Sequence, residues 1–554
     1  MSAGTLARGL LAWAVSTVLA CAVLHRAFAL RIDRDHPSAV VASVWAGGKV
    51  VARAVLDSKV DRAPALDAAM QAHPGAMRVD ESIVGEGLLW VRPETVFSLS
   101  LVAGHDGLAA TFDGRTEYLT PDDLLSLQVY EKGIAVPGLG FATGVDVPVV
   151  FAALSERFGV SALDLIERAR FRRIRTVRSP HSLQAPRVTA ETMTKGDVRA
   201  AAVAAAEFLA RGVDADGKFR YMVDAPGNRT LSGYDWPRHA GATYFLAQMS
   251  ALTGDPAIVQ AALRAANRLR ERGLTDCGDH RCVGSDAVTD LGSTALCVIA
   301  FVEVARSHLD TSYASIVPSL ASFLRSQQRP DGEFMHLYDR NARRPLDVQF
   351  LYFSGEASLA LSRAHSLLGD PRDLEAASRS LAYLVGPAWS FFGSRYYFGE
   401  EHWTCQAMDD LWDRAPDMGA LDFCTRWSAF NRKLQLGGAD SPFDADGAFG
   451  LGPLLVPRLT PAGSRTEAAI ATLDAMRRAG LDAREQAALD RQIRRSLALL
   501  IRHQFLPGPV HLLADAEAVR GAVPGSEVDW QLRIDYTQHM GSALVRWLSI
   551  AKSE

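Results

Sequence analysis

From Thr194 to Ala551 the apolar residues keep a helical spacing, as in Val198, Val203, Phe208 and Leu209. The pattern predicts twelve helices, over residues 194–211, 238–253, 256–273, 291–308, 313–328, 354–368, 371–385, 400–414, 418–435, 464–480, 484–503 and 536–551. Their connections alternate between short and long. The short links carry turn chemistry, in Thr253-Gly254-Asp255-Pro256, Leu368-Gly369-Asp370-Pro371 and Gly480-Leu481-Asp482. The long links, about ten to thirty residues each, hold most of the region's Gly, Pro, aromatic and acidic residues. A stack of helical hairpins whose long loops share one end has a blank face and a working face.

Before Thr194 the period changes. Residues 40–45 and 50–55 alternate as strands around Gly47-Gly48 and predict a hairpin. Further strand-like runs cover 88–91, 96–102 and 108–112, and Thr120-Pro121 marks a helix start with Thr as cap. Residues 152–158 and 162–170 look helical. The chain thus divides into a leader over 1–30, a small α+β domain over 31–175, a linker over 176–193 and a helical domain over 194–554. Residues 98–124, with an apolar strand, His105-Asp106-Gly107-Leu108 and a Leu-Thr-Pro turn, resemble the AMMECR1-like domain. That resemblance carries no function.

Twelve helices with alternating links make six hairpins, the number that closes an (α/α)6 barrel, so the fold class is mainly α with a small α+β domain in front. Internal repetition agrees. Asp216-Gly217-Lys218-Phe219, Asp331-Gly332-Glu333-Phe334 and Asp446-Gly447-Ala448-Phe449 recur at a spacing of 115 residues, as do Asp255-Pro256 and Asp370-Pro371. Such a D-G-x-F turn after an outer helix is similar to those in six-hairpin glycosidases and N-acylglucosamine 2-epimerase-like proteins. As a turn it is first of all structural.

Alternation assigns the helices starting near 238, 291, 354, 400, 464 and 536 to an inner ring, with free N–H groups and positive dipole ends converging at the mouth. The first and last of them open with the same motif, Asp-aromatic-x-x-His-x-Gly, in Asp235 to Gly241 and Asp535 to Gly541. An Asp near each imidazole could fix its tautomer and raise its pKa, as an acid/base pair needs. The alternative is that each Asp caps its helix and each His packs locally. His402 opens a third inner helix. Asp290, Glu356, Glu400 and Glu467 lie in or near first turns, where carboxylates also serve as dipole partners. Arg238 is different, because a cation at a helix N-terminus asks for an anion, whether substrate or neighbouring carboxylate. Trp236, Tyr352, Trp403 and Tyr536 could stack on sugar rings or hold the loops to the rim.

Charge and cysteines narrow the classes. A formal net charge of −4 without a basic stripe argues against nucleic acid as a partner. Cys277 and Cys282 are close enough to bridge, Cys405 and Cys424 fall on neighbouring helices and could pair, and Cys297 sits in an apolar helix as core. An uncharged run from Gly9 to Leu24, between Arg8 and Arg26, predicts a signal peptide or membrane anchor and an exported or membrane-attached body in the cell envelope. Cleavage at Ala27-Phe28-Ala29, a lipoprotein-like Val18-Leu19-Ala20-Cys21 and a retained anchor all remain open.

The resemblance to (α/α)6 epimerase-like proteins implies a carbohydrate-active enzyme working on a sugar or cell-envelope glycan. His239 and His539 would move a proton on opposite faces of a sugar carbon, with Arg238 and Glu356 orienting the ligand and His402 nearby. Trp236, Tyr352, Asp290, Glu400, Trp403 and Tyr536 complete the candidate site, with no cofactor and no metal. Three other readings stand beside it: a glycoside hydrolase or lyase using Glu356 with Asp290 or Glu400, a three-imidazole metal site from His239, His402 and His539, and a non-catalytic toroid binding glycan or protein.

Overall fold

A computed structural model describes residues 30–57, 63–136, 141–179, 188–284, 286–386, 402–437, 444–450, 456–506 and 510–551. It divides into two compact units: Met1–Gln184 with Pro509–Asp515 and Val528–Trp530, and the remainder of the chain.

The first unit is built on a six-stranded antiparallel sheet of β1 (Ala39–Ala46), β2 (Lys49–Leu56), β3 (Met77–Leu88), β4 (Asp106–Phe112), β5 (Arg115–Leu119) and β8 (Arg170–Ser179), in the order β2-β1-β3-β8-β4-β5. A separate hairpin is formed by β6 (Tyr130–Val136) and β7 (Phe141–Val145). The expected hairpin around Gly47-Gly48 is present, with both glycines at positive φ. Thr120 caps the helix Pro121–Ser126 in a capping box with Asp123. The run over 96–102 differs from expectation: it lies largely in a helix, Glu94–Ser100, that starts behind Pro93 with an acidic residue in its first turn. The proline and the dipole-compatible Glu94 outweigh the β-branched composition there.

The second unit holds the twelve helices, α1 (Lys195–Arg211), α2 (Trp236–Thr253), α3 (Pro256–Arg268), α4 (Leu291–Arg306), α5 (Val317–Ser326), α6 (Phe353–Leu368), α7 (Pro371–Val385), α8 (His402–Leu411), α9 (Met418–Leu434), α10 (Leu459–Arg478), α11 (Ala483–His503) and α12 (Ile534–Ile550). Even-numbered helices pack on one another in cyclic order, and α12 returns to α2, so the inner ring closes. The inner helices are buried nearly all round, as in α4, whereas α3 and α11 bury one stripe. Helix α10 begins five residues before expectation, because Leu459-Thr460-Pro461 is a helical first turn in which proline is tolerated.

The D-G-x-F turns tie the outer ring together. Gly217, Gly332 and Gly447 have φ of 78°, 98° and 96°. A Cβ at each would stand 2.1, 2.5 and 2.2 Å from the carbonyl oxygens of Arg264, Arg379 and Arg495, on the next outer helices α3, α7 and α11. Gly521 makes the same approach to Ala204 on α1, so the stretch after α11 meets the first outer helix. Gly332→Ala combines a left-handed backbone with a carbonyl clash. It is expected to cost about 2–4 kcal/mol, read as a lowered denaturation midpoint at unchanged slope; an unchanged midpoint would contradict this account.

Disulfides join Cys277 to Cys282 within a β-hairpin and Cys405 on α8 to Cys424 on α9, while Cys297 is free and buried. The expected N-terminal signal or anchor requires correction. Among the described residues no helix is long and apolar enough to cross a membrane, and the leader itself lies outside them. The described residues thus give no support to the expected membrane attachment or to the membrane-anchored location.

Candidate active site

Long loops lead into the N-termini of the inner helices, and polar side chains gather there in two groups. Helices α8, α10 and α12 supply imidazoles. The His539 Nδ1 lies 2.7 Å from Glu467 Oε2 on α10, and its ring centroid is 5.7 Å from that of His402 on α8. Trp403 lies beside both rings, at 4.9 Å from His402 and 6.0 Å from His539, and Tyr352 sets an edge against His402 at 5.9 Å. Burial alone would lower the His539 pKa, but the Glu467 carboxylate, helped by Asp535, outweighs it and holds the ring above its ordinary value. Small residues make this geometry possible. A Cβ on Gly463 of α10 would come within 3.1 Å of the His539 backbone, and one on Gly355 of α6 within 3.0 Å of Trp403.

Helices α2, α4 and α6 supply carboxyls and a guanidinium. Asp290 caps α4, accepting from the Ser293 backbone N–H at 2.6 Å and its hydroxyl at 2.7 Å. Glu356 on α6 is buried, and its Oε2 has no hydrogen-bond partner among the described residues. Glycine at 292 lets that oxygen approach α4 so closely, since a Cβ there would lie 2.5 Å from it. Burial, then the charge of Asp290, push the Glu356 pKa up to about 8 against the pull of Arg238. At neutral pH this carboxyl is mostly protonated.

Arg238 finds its anions within the protein. Its guanidinium pairs with Asp235, its own helix cap, and reaches Asp535 at 3.2 Å, while Arg533 holds the other edge of Asp535 at 2.6 Å. Tyr221 donates to Asp235 at 2.8 Å. Arg533 also stacks over Tyr536 at 4.7 Å.

The two matching motifs behave differently. His239 is fully buried, with Nδ1 against the Tyr234 hydroxyl at 2.5 Å and Nε2 2.9 Å from the Ala265 carbonyl on α3. Phe219 and Trp236 pack on its ring. Both nitrogens are engaged by protein groups, so His239 has no lone pair to offer a substrate. The expected Asp–His pairing within each motif is replaced: both aspartates go to Arg238, and His539 takes Glu467. Burial lowers the His239 pKa to about 4. The sign follows from linkage. The folded state loses stability as pH falls from about 6.5 toward 4, by about 3 kcal/mol in all. His239→Phe is expected to flatten that part of the stability–pH curve; an unchanged slope would remove His239 as its source.

No protein-family model matches the sequence, and no curated protein matches it. Among solved structures, a D-mannose isomerase aligns at 12% identity and a TM-score of 0.51, over 64% of this chain and 98% of the isomerase. A sugar epimerase from a ruminal bacterium aligns at 12% identity, with a TM-score of 0.49, over 65% of this chain and all of the epimerase. The helical unit is a six-hairpin (α/α) toroid. At this identity the likeness speaks for the fold alone.

Within the toroid, then, the structure brings together His402 with His539, Glu356 with Asp290, and Arg238 with Asp535, and it turns His239 and Trp236 toward the outer ring. Glu400 lies outside the described residues. Three imidazoles do not converge, and no metal-holding group of His, Cys, Asp and Glu occurs among the described residues. Sequence reasoning placed Glu467 in a first turn; in the toroid it lies two turns into α10, beside His539. Neither Arg533 nor Tyr234 belongs to the shared motif, but Tyr234 is legible as the difference between its two copies, since Ile534 occupies the matching place.

Proposed function

We propose that the loop-bearing end of the toroid is the active site of a sugar-converting enzyme that moves a proton at a carbon beside a carbonyl. The observation that supports this reading is the facing pair His402 and His539, with Glu467 bonded to the second ring. A sugar in its open-chain form has an acidic C–H next to the carbonyl. One imidazole removes that proton and the other returns one, either to the opposite face of the same carbon or to the neighbouring carbon. An imidazole bonded to a carboxylate, facing a second imidazole, suits both halves of the exchange. The substrate class is taken from the D-mannose isomerase of like fold. His239, expected from its motif to be one of the pair, is replaced here by His402.

The test is solvent exchange. Hexoses and cellobiose incubated with the protein in D2O should lose their C2 proton signal by NMR, and His402→Gln or His539→Gln should slow that loss. No exchange into any sugar, or exchange undiminished by both variants, would sink the reading. A second reading, glycoside cleavage, draws on Glu356 as a carboxylic acid still protonated at neutral pH. It requires release of reducing ends from a glycan, which proton exchange does not produce.

A further inference from the structure

The carboxyl half of the mouth is not used by the proton transfer, and its chemistry is distinct. Glu356 is about 95% buried, yet its Oε2 meets no donor among the described residues. Asp290 stands at the head of the neighbouring helix, two residues before the glycine whose missing Cβ lets that oxygen approach. A buried carboxyl oxygen with no partner is costly unless a ligand completes it. The nearby guanidinium does not serve, because Arg238 is already shared between Asp235 and Asp535, and Asp535 is further neutralised by Arg533. An incoming anion would meet Asp290, and would have to displace a carboxylate to reach Arg238. A cation would meet Asp290 directly and would convert Glu356 to its ionised form.

We propose that Asp290 and Glu356 form a subsite for the ammonium group of an amino sugar, which rests on the reading of this end of the toroid as a sugar site. The ammonium has three donors. Two of them satisfy Glu356 Oε2 and an Asp290 oxygen. Charge balances locally: as the ammonium enters, the Glu356 carboxyl gives its proton to the buffer, leaving a cation against two carboxylates. Because burial and Asp290 hold the empty Glu356 protonated to about pH 8, that proton is there to be released at pH 7. A neutral sugar at the same place releases none, and a uronic acid is repelled.

Isothermal titration of the whole chain at pH 7 tests this, with D-glucosamine against D-glucose, N-acetyl-D-glucosamine and D-glucuronate. Each titration is run in phosphate and in HEPES, whose protonation heats differ. Glucosamine is expected to bind about tenfold more tightly than glucose, about 1.4 kcal/mol, with a heat that changes with the buffer. In Glu356→Gln the buffer dependence should vanish and the preference for the amine should shrink. Equal affinity for glucosamine and glucose, or a buffer-independent heat in the wild type, overturns the subsite without recourse to the variant. Binding needs no turnover, and the D2O exchange reads His402 and His539 without an amine. Exchange into neutral sugars with no amine preference would therefore leave the proton-transfer reading standing and this inference fallen. Amine-linked proton release with no exchange into any sugar would do the reverse.

Discussion

Replacing His539 with glutamine is expected to lower kcat for C2 proton exchange by about 10²–10⁴-fold, the usual size of a general acid–base contribution, while ligand affinity changes only a few-fold. Glutamine keeps hydrogen-bonding capacity toward Glu467 but cannot carry the transferred proton. Glu467→Gln is expected to act through His539. With the carboxylate gone, burial becomes the governing influence on the ring, and the limb of the pH profile that reports His539 moves to lower pH. A loss of rate with no movement of that limb would assign Glu467 a packing role only. His239→Gln supplies the contrast: it is expected to lower stability, because two buried hydrogen bonds are disturbed, and to leave kcat nearly unchanged.

Glu356→Gln is expected to stabilise the protein, increasingly so as pH rises. The folded-state pKa, about 8, stands above the unfolded value near 4.5. The folded form therefore binds the extra proton between these values. The stability associated with it is fully present below pH 4.5 and is lost as pH rises through 8. At pH 7 the difference is about 3 kcal/mol as an order of magnitude. Chemical denaturation of wild type and variant at pH 5, 7 and 9 should show curves that nearly meet at the acid end and diverge at the alkaline end. Parallel curves would mean that Glu356 ionises normally. Such a cost at the mouth is what an ammonium bound at the proposed subsite would relieve.

The ring was legible because its signals are periodic. Apolar spacing gave the helices, alternating link lengths gave their inner and outer roles, and the spacing of the D-G-x-F turns gave the repeat. Helix starts were less so, as at α10, where proline reads equally as loop and as first turn. The mouth was legible only in part. The twin motifs at Asp235 and Asp535 led to a symmetric expectation, yet Tyr234 draws His239 toward the outer ring, and Ile534 makes no such hydrogen bond to His539. The pairing of His402, Glu467 and His539 depends on three helices meeting, and on Gly463 letting α12 approach α10. No local pattern encodes that distance. Buried Glu356 was visible as a residue type, but its unpartnered oxygen depends on a glycine sixty-four positions away.

Because α12 follows the other eleven helices of the toroid and packs on the first inner one, the order of synthesis matters. A ribosome-bound chain ending near residue 500 already carries Asp290, Glu356, His402 and Glu467, and it lacks Arg533, Asp535 and His539. Arg238 then has only one of its two carboxylates, Glu467 has no imidazole, and α2 and α10 stand with an open flank. Emergence of this seventeen-residue helix shuts the ring and completes the proposed proton-carrying pair in a single event, so a nascent toroid would have no complete pair to expose.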